Sequence, residues 1–216
     1  MLFVPPPVLA SAANVAVTYT GHAESATQTA SYSFTSQPIG AAAPDRYVIF
    51  CVMARGVFSG GVNSATLNGN SCTKVATHDA AFGHVQIWIT NAPVTSGTTA
   101  TIVISSSSGD LSACGIDIYS VRGLLSTTPT DTDDNETDNT TLNLSVAEGG
   151  FVIACSSQAS GATCTVTGAA EVSDRQIRSG NLNGASAYGT TYGATAAVKF
   201  DWTSSSNVRA VAASFR

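Results

Sequence analysis

Apolar and β-branched runs a few residues long recur from one end of the chain to the other, each bounded by Gly, Asn, Asp, Ser or Pro. Runs of that length with turn residues between them predict β-strands, and so many of them predict a sandwich or barrel. The strongest lie at residues 15–19, 30–34, 47–54, 64–67, 84–89, 99–105, 114–121, 142–146, 151–155, 163–167, 194–202 and 208–215. Two packed antiparallel sheets would accommodate them, with apolar residues between the sheets and hydroxyls outside. Asn68-Gly69, set between Ala65-Thr66-Leu67 and Cys72-Thr73-Lys74-Val75, predicts a hairpin with positive φ at its turn. Glu148-Gly149-Gly150 predicts another before Phe151-Val152-Ile153-Ala154. Helix is nearly absent: residues 169–177 have some helical composition but are too few and too rich in competing side chains. The polar stretch 126–141 reads as a long surface loop, and the glycine-rich stretch 181–193 as a mobile one. No fixed-period repeat is visible. The expectation is an all-β chain, an antiparallel β-sandwich of jelly-roll or immunoglobulin-like type, with residues 14–216 forming one domain after an extended Pro-rich arm at residues 1–13.

Composition sharpens this picture. Charged residues are only 11% of the chain, against about 25% in an ordinary soluble protein, while 27 Ser and 27 Thr supply a quarter of it. Hydroxyls and backbone therefore carry the solvation. A net charge of −5, two lysines and scattered arginines argue against nucleic acid as partner, because phosphate neutralisation needs clustered cations. No run approaches the ~18 apolar residues of a membrane-spanning helix. The start of the chain has the apolar and small residues of a signal peptide's tail but no positive segment, and Pro5, Pro6 and Pro7 interrupt any helix. It favours a polyproline II arm, whose Phe3, Val4, Pro5, Pro6 and Pro7 are candidates for contacting a neighbouring subunit. The five cysteines lack CxxC spacing and mostly sit in apolar strands, as small free core residues do. A Cys155–Cys164 disulfide across a hairpin stays open as an alternative, though the pattern suits a reducing compartment better.

Candidate chemistry is sparse. Asp131, Asp133, Asp134, Glu136 and Asp138 crowd one segment, and Asp131, Asp133 and Asn135 imitate the opening of a calcium loop. An EF-hand would need Gly at Glu136 and Glu at Leu142, so that motif is rejected. A generic calcium site using Asp131, Asp133 and Asp134 remains the metal candidate, beside the plainer reading of a solvated acidic loop. His22, His78 and His84 have no HExxH spacing, there is no GxSxG elbow, Walker loop or dinucleotide fingerprint, and no cofactor is expected. Asp117, within Gly115-Ile116-Asp117-Ile118-Tyr119, is the best isolated acid. Tyr188 and Tyr192, flanking Gly189-Thr190-Thr191, are candidates for stacking on a sugar, or for covering the sandwich edge.

One resemblance bears on function. Asp45-Arg46-Tyr47-Val48-Ile49-Phe50, Ala65-Thr66-Leu67-Asn68-Gly69, Val85-Gln86-Ile87-Trp88-Ile89, Gly115-Ile116-Asp117-Ile118-Tyr119-Ser120-Val121-Arg122-Gly123-Leu124 and the ending Val208-Arg209-Ala210-Val211-Ala212-Ala213-Ser214-Phe215-Arg216 resemble stretches of small β-rich virion proteins of tailed bacteriophages and prophages. The resemblance spans residues 30–216 and rests on strand-and-turn patterns. It implies a non-enzymatic structural component that decorates or cements the capsid or belongs to the tail or fibre, assembled in the host bacterial cytoplasm. Its partners would be copies of itself and other virion proteins. It assigns no functional residue. The alternative is a carbohydrate- or host-receptor-binding module, with a host-surface glycan at Tyr188 and Tyr192.

Overall fold

The computed structural model describes residues 15–56, 61–80, 83–107, 109–139, 141–204 and 206–216; the Pro-rich arm and its proposed contact residues Phe3 to Pro7 lie outside them. The described residues form sixteen strands and no helix: β1 (Ala16–Ser25), β2 (Ser31–Pro38), β3 (Tyr47–Gly56), β4 (Val62–Leu67), β5 (Asn70–Ala80), β6 (Gly83–Thr90), β7 (Thr99–Ser106), β8 (Leu111–Arg122), β9 (Asp131–Asn135), β10 (Thr141–Ser145), β11 (Phe151–Gln158), β12 (Cys164–Thr167), β13 (Ala170–Arg178), β14 (Leu182–Gly189), β15 (Thr195–Trp202) and β16 (Arg209–Phe215). All pairings are antiparallel.

The strand order repeats. β1 to β8 form one continuous sheet in the order β1-β8-β3-β6-β5-β4-β7-β2, and β9 to β16 form a five-stranded sheet, β13-β14-β11-β16-β9, with a three-stranded one, β10-β15-β12. In the first half β4 and β5 pair at only two positions beside their hairpin, Thr66↔Ser71 and Leu67↔Asn70. The first sheet thus divides there into β5-β6-β3-β8-β1 and β4-β7-β2. Adding eight to each label gives the two sheets of the second half. Each half is an eight-stranded jelly roll. The repeat is one of topology, which a search for a fixed sequence period does not detect.

The halves stack face to face, so the apolar side chains fall into three layers. Phe50, Ile102, Ile104 and Ile116 lie in the first jelly roll's core; Phe200, Trp202, Val198 and Leu142 lie in the second's. Between them Ile49, Met53, Ile87 and Val121 meet Phe151, Ile153, Val211 and Phe215. Strands β3, β6, β8, β11 and β16 therefore contact protein on both faces. Along β11, Phe151, Ile153 and Cys155 enter the central layer, while Val152 and Ala154 enter the second core. That is why these strands are buried along nearly their whole length and mostly apolar, as sheets covered on both faces are. Outer strands alternate instead: in β15, Ala196, Val198, Phe200 and Trp202 are buried and Thr195, Ala197 and Asp201 are exposed.

The expected hairpin at Asn68-Gly69 is present, with φ of 49° and 81°, the geometry of a two-residue turn that matches strand twist. Two expected loops are strands. The glycine-rich stretch contains β14, an interior strand between β13 and β11; a Cβ on Gly184 would stand 2.5 Å from Met53 Sδ and 2.8 Å from Ile177 Cδ1. The small residues are there because the sheets approach closely. The acidic stretch contains β9, whose opposite edge from β16 faces β10. There Asp133 Oδ2 accepts from Asn143 N (2.7 Å) and Asp131 Oδ2 from Ser145 N (2.8 Å). Across the other seam Asp174 Oδ2 accepts from Cys164 N (2.9 Å) and Glu171 Oε2 from Val166 N (3.2 Å). Both edge strands of the small sheet thus have backbone donors satisfied by carboxylates, protecting edges that would otherwise invite pairing.

All five cysteines are free and buried. Cys155 lies in the central layer and Cys164 in the second jelly roll's core, so the hairpin disulfide does not form.

Candidate functional site

A cleft of about 530 Å³ opens at one end of the first jelly roll between the β4–β5 hairpin and the β6–β7 loop. The hairpin contributes Asn68, Asn70 and Ser71, and the loop Asn91, Thr95 and Ser96. The Asn-Gly turn is anchored because Asn68 Oδ1 accepts from Thr101 N (2.8 Å). Asn91 Oδ1 accepts from Thr73 Oγ1 (2.6 Å).

The loop is held from beneath by Arg46, which is fully buried. Its Nε donates to Val94 O (2.9 Å), Nη1 to Gly40 O (2.6 Å) and Gly97 O (2.9 Å), and Nη2 to Ser96 O (2.8 Å). A planar guanidinium can serve diverging carbonyls in this way, whereas an ammonium cannot. Lined by amides and hydroxyls beside Leu67, Ala92, Pro93 and Val94, and lacking ionised groups, the cleft suits a neutral ligand able to hydrogen-bond. It lacks an aromatic platform.

Tyr188 and Tyr192 both line a separate shallow depression of about 400 Å³ beside Gly168 and Ala170. Their rings are engaged by the protein. Tyr188 makes an edge contact with Tyr119 at 5.9 Å and packs on the central layer. Tyr192 packs on the second jelly roll's core and donates to Gly168 O (2.9 Å). The two rings therefore serve opposite faces of the sheet and do not form one stacking platform.

The metal candidates do not converge. Asp131 and Asp133 bond β10, whereas Asp134 lies on the other face of β9, 2.5 Å from His78 Nδ1. Among the described residues no group of three His, Cys, Asp or Glu is placed to hold a metal ion.

Two polar clusters were not legible as clusters in the sequence. In the first jelly roll, His84 is buried and its Nδ1 lies 3.0 Å from Asp79 Oδ1. Facing a carboxylate, that nitrogen donates to it, while Nε2 is buried without a partner among the described residues. Gln86 Nε2 (2.8 and 3.0 Å) and Thr77 Oγ1 (2.8 Å) also donate to Asp79. Burial works to raise the Asp79 pKa, but the hydrogen bonds from His84, Gln86 and Thr77 and the charge of Lys74 outweigh it and hold the carboxyl well below the usual range. Cross-strand pairing of Asp79 with His84 brings these groups together.

The second cluster spans the two halves. Asp117, fully buried, accepts from Arg175 Nη1 (2.5 Å), Ser173 Oγ (2.8 Å) and Tyr19 OH (3.3 Å). Arg175 Nε continues to Glu24 (2.8 Å) and Nη2 to Ile116 O (3.0 Å), while Tyr119 OH donates to Ser186 Oγ (2.6 Å). The sequence identifies Asp117 as an isolated acid in an apolar strand; its partner Arg175 belongs to the other half.

No protein-family model matches the chain, and no curated protein or solved structure matches it significantly.

Proposed function

We propose that the protein is a non-enzymatic structural component of a bacteriophage virion, in the capsid decoration or the tail and fibre apparatus, that presents a carbohydrate-binding cleft at one end. The observation that carries the recognition half of this reading is the uncharged cleft at Asn68, Asn70 and Asn91. Amide side chains both donate and accept, and so can bridge vicinal hydroxyls. The virion placement draws on the sequence resemblance and on the jelly roll's recurrence in capsid and lectin proteins. This cleft replaces the Tyr188 and Tyr192 surface as the proposed sugar site.

The reading also changes how copies would associate. Among the described residues the one exposed large hydrophobic is Leu125, at 71%, so those residues offer no broad apolar patch for it. Association would instead use polar faces or the apolar residues at 1–13. Without an aromatic platform, one cleft is expected to bind a sugar weakly, with avidity gained by multivalency where copies are arrayed.

Saturation-transfer NMR against bacterial surface oligosaccharides tests the cleft. Transfer is expected with the native chain and lost in Asn70→Ala/Asn91→Ala; transfer unchanged in that variant rejects it. Light scattering of the full chain beside one lacking residues 1–13 tests assembly, for which a monomer in both would count against the arm as a clasp.

A further inference from the structure

Seven arginines serve a chain with net charge −5, and three have clear roles. Arg122 and Arg175 pair with acids, and Arg46 is spent on carbonyls. Arg178 donates to Ser112 O (3.2 Å), whereas Arg55 and Arg209 come together. They line one small cavity, about 50 Å³, between the two jelly rolls, where β3 and β11 end and β6, β14 and β16 begin. Neither forms an ion pair with an acid among the described residues. Each donates one hydrogen bond, Arg55 Nη1 to Asn181 O (2.7 Å) and Arg209 Nη1 to Asn207 O (2.8 Å). Arg209 Nε is buried with no partner, a state that calls for an explanation such as an unseen ion or water.

The site is built. The Arg209 guanidinium lies against Gly83, where a Cβ would stand 2.9 Å from Nη1 and 3.2 Å from Cζ. Burial is the main influence lowering the Arg209 pKa; Glu136, which itself pairs with His78, works to raise it, and the like charge of Arg55 lowers it by a smaller amount. Two guanidinium groups share a cavity whose lining holds no acid among the described residues, and an anion between them would supply a counter-charge there. On size, about 10–15 Å³ of such space admits one water. The cavity therefore takes a few waters or one carboxylate or phosphate group, not a sugar ring.

We propose that Arg55 and Arg209 form an oxyanion site bridging the two jelly rolls, which takes a single carboxylate or phosphate group in the fork geometry that guanidinium groups favour. The site is separate from the amide-lined cleft and does not depend on it. Binding there ties the end of β3 to the start of β16, so the ligand stabilises the seam between the halves.

The test is thermal unfolding of the full chain at constant ionic strength, with chloride replaced stepwise by phosphate in one arm and acetate in the other. Phosphate stabilises proteins generically, so the comparison is with Arg55→Gln and Arg209→Gln. A saturable rise in Tm in the native chain, with apparent affinity at least tenfold weaker in either variant, supports the site; equal responses in all three overturn it. The arm with the larger rise names the preferred anion. If a variant does not fold, the arginine Nε–H signals of the native chain decide. Saturable shifts confined to Arg55 and Arg209 support the site, and none, or uniform shifts across all arginines, overturn it.

Discussion

Replacing Asp117 by Ala tests whether the polar cluster is what fixes the two halves in register. The native carboxylate is fully buried and receives three donors, from Arg175 at 2.5 Å, Ser173 at 2.8 Å and Tyr19 at 3.3 Å. Ser173 and Tyr19 keep other partners, Ser186 at 3.2 Å and His22 at 3.1 Å. The loss therefore falls mainly on Arg175, only 11% exposed, which would retain Glu24, Ser173 Oγ and Ile116 O but lose its buried counter-charge. Breaking a buried pair by removing one partner costs about 3–5 kcal/mol. At 2–4 °C per kcal/mol for a chain of this size, Tm should fall by roughly 10 °C. Urea unfolding of Asp117→Ala, of Glu24→Gln as a control, and of Asp117→Leu/Arg175→Met provides the assay. The control removes a partly exposed pair and should cost no more than about 1 kcal/mol; the double variant removes both buried charges and should recover most of the loss. A loss below about 1 kcal/mol in Asp117→Ala, or no recovery in the double variant, would refute the reasoning.

Further outcomes follow from other parts of the fold. Arg46→Lys should cost about 2–4 kcal/mol, since an ammonium cannot serve the diverging carbonyls, and hydrogen exchange should quicken across residues 91–98. Gly184→Val should destabilise by roughly 1–3 kcal/mol through overpacking against Met53 and Ile177, read from the urea midpoint. For pH, the hydrogen bond from Ser145 N, then that from Thr132 N, hold the Asp131 carboxyl below its ordinary value against a smaller opposing effect of desolvation, and Asp79 is held low as well. Both groups stabilise the fold fully above the unfolded value of about 3.9, and that stabilisation is lost as pH falls through their lowered values. Urea midpoints should therefore hold between about pH 7 and 5 and drop below about pH 4, less steeply in Asp131→Asn. Finally, the five cysteines are buried, so a thiol reagent should label none in the native state and all after unfolding in guanidinium.

The two kinds of apolar run held more information than their use as strand markers. Continuous runs such as Val48 to Val52 belong to the inner sheets and alternating runs such as Thr99 to Ile104 to the outer ones, so the four-sheet stack was written in the sequence as a difference in period. What obscured β14 was composition: the stretch around Gly184 read as a loop because one cause of its small size, Met53 of the facing sheet packed against Gly184, is distant in sequence. The acids of β9 were obscured differently. Their spacing at Asp131 and Asp133 is strand spacing, but a carboxylate bonded to a neighbouring strand's backbone has no local signature. Asn68-Gly69 was legible as a turn, while the cleft beside it depends on Arg46 reaching Ser96 and Gly97.

The repeated strand order has a consequence for how the molecule comes apart. Either jelly roll alone would turn Ile49, Met53 and Ile87, or Phe151, Ile153 and Phe215, toward water, a continuous greasy wall of the kind that isolated soluble domains rarely tolerate. The chain thus behaves as a dimer whose second subunit arrives already tethered. Its halves are expected to melt together rather than in turn, and a protein cut between them at residues 123–130 should remain associated until both lose their structure.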